Sequence, residues 1–127
     1  MFRYLSIIIA ISLLPLIGAG CITKQDSIHT YTVDIERSSI QKDARNAALE
    51  TPNTNMKHLL SEVGIKTETA PREEYSTVTK LDGVISTLNK EWHLYINNIY
   101  QSFTYLEHVP VSASDIIEWK YEEPTNE

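Results

Sequence analysis

Three stretches of this chain alternate apolar and polar residues one for one, which commits it to a sheet with one buried face. In residues 30–36, Tyr31, Val33 and Ile35 fall on one side and Thr32, Asp34 and Glu36 on the other, the period of a half-buried strand. In residues 92–97, Trp92, Leu94 and Ile96 share one face and His93, Tyr95 and Asn97 the opposite one. Residues 115–121 form the last such stretch, with Ile117, Trp119 and Tyr121 inward and Glu118 and Lys120 in water. Asn97-Asn98 offers a tight turn, because asparagine tolerates positive φ better than any residue except glycine, and residues 99–101 then return as a hairpin partner. The chain has one cysteine, so no internal disulfide staples the core and packing alone must hold it.

One helix is predicted between these strands. Thr54 serves as its N-cap, Met56, Leu59, Leu60 and Val63 recur at helical spacing, and Gly64 supplies a left-handed stop. At about ten residues it needs a sheet against which to bury its stripe. Residues 38–51 read as a long turn with a weak second strand, 68–74 as a polar loop punctuated by Pro71, 75–81 as a strand, and Asp82-Gly83 as a turn. The pattern is α+β, with one helix packed on a mixed sheet of roughly four to five strands.

Ahead of this unit, residues 1–20 read as a signal peptide with Arg3 as its one charge and an apolar run from Leu5 to Ile17. The run is short for a bilayer span of about 20 residues, and Pro15, Gly18 and Gly20 weaken it as a helix. Cys21 follows directly, preceded by small residues, and resembles the lipobox cysteine of prokaryotic lipoproteins, although Gly18 stands where the common pattern has Leu. The expectation is an exported protein held to the cell membrane by a covalent lipid on Cys21, with residues 21–29 as a tether, 30–123 as the domain and 124–127 as a loose tail. Cleavage by the ordinary signal peptidase, leaving an unlipidated Cys21, is one rival reading, and a retained membrane anchor is the other. Removing residues 1–20 takes away only Arg3, so the remainder carries 10 basic and 17 acidic side chains, net −7. That balance, with no Lys/Arg cluster, argues against nucleic acid as a partner.

Gly83-Val84, then Trp92-x-x-Tyr95-Ile96-Asn97, then Asp115 to Tyr121 with its Trp119-x-Tyr121 ending, resemble the transcobalamin-like C-terminal domain family. Two family glycines are replaced, by Asn98 after Asn97 and by Ser114 before Asp115. The resemblance implies a β-grasp fold in an exported protein and a ligand-binding or interaction role. Vertebrate cobalamin carriers close such a domain over the corrinoid together with a helical domain that this chain lacks, so cobalamin is a minor branch of the expectation.

Candidate ligand contacts are His93, Tyr95 and Asn97, which would make a polar-aromatic patch on the outward sheet face, with Tyr105 from the aromatic-rich stretch 100–105. The competing reading of the patch is a solvated sheet face. Trp92 and Trp119, at alternating strand positions, read as core anchors. His29, His58, His93 and His108 lie on separate elements without i, i+4 pairing, so no metal site is expected. No nucleophile elbow is present, and Glu73-Glu74 and Glu122-Glu123 read as solvated loops, so no catalytic set is expected. The expected function is a non-enzymatic module binding a small molecule or a surface protein. The alternative is an assembly module that recognises partner chains through a strand edge.

Overall fold

A computed structural model of the chain describes residues 27–124. The expected leader, Cys21, most of the tether and the last three residues of the tail lie outside the described residues. The alternation of the first stretch does form strand β1, His29–Glu36, with Tyr31, Val33 and Ile35 fully buried. Its partner β2, Lys42–Leu49, pairs antiparallel along the whole length of β1, from His29↔Leu49 to Glu36↔Lys42. The expectation of a long turn and a weak strand is therefore corrected. Among the β2 residues opposite the buried Tyr31, Val33 and Ile35, Ala47 joins the core, whereas Arg45 and Asp43 bring charge to that side, so no apolar alternation was there to read.

Strand β3, Asn53–Asn55, leads into helix α1, Met56–Glu62, which buries Met56, Leu59 and Leu60. The N-cap is Asn55 rather than Thr54: Asn55 directly precedes the helix and its Oδ1 accepts the His58 N–H at 2.9 Å. Gly64, at φ 74°, ends the helix as expected. There the Gly64 N–H reaches Ser61 O at 3.1 Å and the Ile65 N–H reaches Leu60 O at 2.8 Å, the two bonds of a Schellman motif, with Ile65 buried against the core.

The second half of the chain supplies β4 (Thr67–Pro71), β5 (Ser76–Leu81), β6 (Val84–Ile85), β7 (Glu91–Ile96), β8 (Ile99–Gln101), a 3-10 turn (Leu106–His108), β9 (Pro110–Ser112) and β10 (Ile117–Glu122). Eight strands share one sheet in the order β2-β1-β10-β7-β5-β4, with β6 on β5 and β8 on β7, against the smaller number expected. The surplus includes short hairpin arms and β4, which takes the place of the expected polar loop. Pro71 is tolerated because it closes an edge strand. Both two-residue turns have positive φ at both positions, 50° and 83° at Asp82-Gly83 and 53° and 64° at Asn97-Asn98, which suits the twist of a hairpin.

The sheet is mixed: β1 and β10 run parallel with Val33 opposite Ile117, and β10 and β7 run antiparallel with Ile117 opposite Ile96. Helix α1, β3–β9 and the 3-10 turn contribute to the same hydrophobic core as the inward residues of the sheet, and Trp119 at its middle is fully buried. The α+β class thus holds. Among the described residues no helix is long and apolar enough to cross a membrane.

Candidate functional site

Antiparallel register sets the outer face of the sheet. Glu91, His93 and Tyr95 of β7 stand opposite Glu122, Lys120 and Glu118 of β10. His93 belongs to this outer face, as expected, yet it is only 3% exposed. Tyr100 of β8, paired with Tyr95, packs edge-on against the imidazole with ring centroids 5.4 Å apart. The ring then stands between two carboxylates, Nδ1 at 2.9 Å from Glu122 Oε1 and Nε2 at 2.8 Å from Glu91 Oε1. Each contact needs one hydrogen, and a neutral imidazole carries only one N–H. The arrangement is therefore satisfied when the ring donates from both nitrogens or when one carboxyl carries a proton.

Tyr95 completes the network by donating its hydroxyl to Glu122 Oε1. Burial first, then that hydrogen bond and the negative charge of Glu122, push the Tyr95 phenol up to about 12. Lys120 Nζ lies 4.9 Å from the centre of the Tyr95 ring and 3.8 Å from Glu118 Oε2. Glu122 is thus a strand residue bound to His93, not part of a solvated loop.

The other two candidates lie elsewhere. Asn97 is spent on the fold: its Nδ2 donates to Asp115 Oδ1 at 3.0 Å and its Oδ1 accepts the Ile116 N–H at 2.9 Å, tying the β7–β8 turn to the start of β10. Burial raises the Asp115 carboxyl, but the Ser112 N–H at 2.8 Å and the Asn97 amide outweigh it, and the net shift is downward. Tyr105 is exposed and borders a separate groove of about 680 Å³ between α1 and β4. His93 and Tyr95 therefore come together, while Asn97 and Tyr105 join neither them nor each other.

A second depression, of about 490 Å³, opens beside His93. Its cause is local: β5 and β7 meet through a single pair, Val78↔Trp92, and β8 occupies the flank of β7 beyond it. The chain then crosses to β5, where the Ser76 N–H bonds Phe103 O at 2.7 Å and Ser76 Oγ donates to Thr104 O at 2.6 Å. Glu74, Tyr75, Glu91, His93, Tyr100 and Gln101 line the cleft. The α1–β4 groove is larger, but the buried polar network adjoins the smaller cleft, which makes that cleft the candidate site. Glu91 and Tyr75 were not singled out from sequence, Glu122 was read there as part of a solvated loop, and Tyr100 was noted only as part of an aromatic-rich stretch. The signal for Glu91 and Glu122 is their place in register with His93, which appears only once β7 and β10 are known to pair.

The residues carrying the family resemblance do structural work. Gly83 and Asn98 occupy the left-handed turn positions. Trp92 donates Nε1–H to Val84 O at 3.0 Å and packs against Tyr121 at 5.0 Å, and the Tyr121 hydroxyl donates to Ile85 O at 2.9 Å. Trp119 sits in the core with Phe103 edge-on at 6.3 Å, so both tryptophans anchor the core as read from sequence. Among the described residues no group of three or more His, Cys, Asp or Glu side chains is placed to hold a metal ion.

No family model matches the chain, and no curated protein matches it. Among solved structures it is similar to the crystal structure of a "putative metal binding protein" from Ruminococcus gnavus, with a TM-score of 0.58 and 19% identity over 76% of this chain and 99% of the other. At that identity the likeness is one of fold.

Proposed function

We propose that the chain is an exported, membrane-anchored, non-enzymatic binding module of the β-grasp type, holding a small ligand in the outer-face cleft between β5 and β7. The observation that carries this is His93, buried on an otherwise outward face and fixed by Glu91 and Glu122 at the wall of a concave site. A cleft with a few positioned polar groups is the default binding site of a small domain. The β-grasp reading rests on the β1–β2 hairpin, the helix that follows it, and the last strand lying parallel beside the first. The transcobalamin-like reading rests on the quoted motif residues, and the anchor on Cys21 with its leader.

Trp92 lines the cleft, so its fluorescence reports occupancy. Purified chain titrated with a panel of small molecules, cyanocobalamin and zinc among them, should show a saturable change that Glu91→Gln weakens. An unchanged signal across the panel up to high micromolar concentration counts against the cleft. Zinc belongs in the panel because the structural neighbour is named for metal binding. For the anchor, labelling with a palmitate analogue should disappear in Cys21→Ser. Equal labelling of both forms would defeat it.

A second reading, strand-edge assembly, is favoured by β2. It ends the sheet, its eight residues pair with β1 without a bulge, and among the described residues its outer side has no partner strand. Crosslinking in the native envelope should yield a stoichiometric protein partner if that edge is the working surface.

A further inference from the structure

We propose that the groove between α1 and β4 is a second binding site, and that it takes a small organic carboxylate with an apolar tail. The groove opens because the two layers do not meet there. Thr67, Thr69 and Pro71 of β4 stand opposite Leu81, Val78 and Ser76 of β5, on the side where Leu81 and Val78 enter the core. Helix α1 is only seven residues long, and Thr69 and Pro71 stay exposed although they belong to the face that the helix layer covers elsewhere. The space left over, about 680 Å³, falls within the roughly 300–1,000 Å³ of small-molecule sites.

Its walls have two characters. Leu60, Ile65 and Leu106 line it as residues of the core cluster, so apolar surface continuous with the core borders the groove. The charged members of the lining are Lys57, Lys66 and Glu107, which leaves one positive charge over in a chain of net charge −6. Lys57 lies 4.0 Å from Glu107, whereas Lys66 makes no ion pair among the described residues. Beside Lys66 in the chain, Thr67 also lines the groove, and its Oγ1 is buried with no hydrogen-bond partner among the described residues. A buried hydroxyl left unpaired is costly, and a carboxylate accepts from a hydroxyl and an ammonium together. One surplus positive charge matches a single carboxylate rather than a phosphate dianion, and the apolar wall matches a hydrocarbon tail. The lining of the β5–β7 cleft carries Glu74 and Glu91 instead, so this proposal stands apart from the ligand of that cleft.

The test titrates the purified full chain with hexanoate, octanoate and the neutral octan-1-ol, read by calorimetry and by amide NMR shifts. Octanoate should bind about tenfold more tightly than hexanoate, the worth of two buried methylenes. It should also bind several-fold more tightly than octan-1-ol at low salt, with the gap narrowing as salt rises, and its shifts should centre on residues 64–69 and 104–107. Lys66→Gln should remove most of the preference for acid over alcohol. Thr69→Phe, at an exposed strand position, should block both by filling the groove, and Lys42→Gln, on the far edge of the sheet, should change neither. Thr67→Val exchanges the hydroxyl for a methyl of similar size, so it should weaken octanoate several-fold while raising the urea midpoint of the unliganded chain. A lowered midpoint with unchanged octanoate affinity would make that hydroxyl structural and count against the site. Equal affinity for acid and alcohol, no gain with tail length, or affinities indifferent to Lys66→Gln and Thr69→Phe each overturn the proposal. So does binding to anionic lipid vesicles alone, with no octanoate shifts in the groove at tens of millimolar.

Discussion

At the scale of single residues, two shifted groups report on two different parts of the molecule. The Tyr95 phenol is raised to about 12, chiefly by burial and then by its bond to Glu122. A raised phenol stabilises the fold fully below the unfolded value of about 10, and that contribution is lost as pH climbs through the folded value. Carbon NMR of the tyrosine ring should therefore show Tyr95 ionising well above the ordinary tyrosine value of about 10, and Glu122→Gln should bring its midpoint down. A Tyr95 midpoint near about 10, unmoved by Glu122→Gln, would remove the buried network. Asp115 has the opposite sign. Its carboxyl is lowered on balance by the Ser112 N–H and the Asn97 amide, so its contribution is present above about 4 and lost as pH falls through the folded value. Unfolding followed from pH 5 down to pH 2 should show a shallower acid loss in Asp115→Asn than in the unaltered chain, while the two curves keep the same slope near neutrality.

At the scale of elements, the sequence was legible wherever a strand buries one face in the core and opaque wherever it does not. Stretches 30–36, 92–97 and 117–121 alternate because Val33, Leu94 and Trp119 pack inward while their neighbours take the outer face, where His93 alone among them is covered. Strand β2 hid because its inner side puts Arg45 beside Ala47, and β4 hid because Pro71 and Glu68 belong to an edge that needs no second apolar face. The cap slipped by one residue because Thr54 and Asn55 are both good caps and the helix starts at Met56, so that Asn55 stands directly before it and its Oδ1 accepts the His58 N–H. Asn55→Ala should then cost about 1 kcal/mol, while Thr54→Ala should not show the loss of a cap. The candidate site was half legible: alternation placed His93 and Tyr95 together, but not Tyr100 closing over the imidazole, because that depends on which way the hairpin folds back. A urea series in which Thr54→Ala costs as much as Asn55→Ala would reverse the cap assignment.

For the whole molecule, the question is what binds the first hairpin to the rest of the sheet. Parallel pairing of β1 with β10 joins the two ends of the domain, so that seam closes only after most of the chain is in place. A polar clasp reinforces it at the far end. Arg45, on the edge strand, grips Asp82 with two bonds of 2.9 and 2.7 Å, and Arg37 at the base of the hairpin turn bonds the same carboxylate. Asp82 itself sits in the left-handed region at φ 50° and keeps only 17% of its side chain exposed. Asparagine tolerates that φ, so Asp82→Asn removes the charge without straining the turn. Loss of charge-assisted bonds from two half-buried guanidiniums should lower stability by about 2 kcal/mol, seen as a shifted urea midpoint at unchanged slope. Arg45→Lys should recover only part of the clasp, since an ammonium cannot make the forked contact. Hydrogen exchange separates this from a general loss: the β2 amides should speed up more than those of β7, because the clasp holds the hairpin and not the centre of the sheet. Uniform acceleration across β2 and β7, or an Asp82→Asn chain as stable as its parent, would mean that the apolar seam between β1 and β10 holds the hairpin unaided.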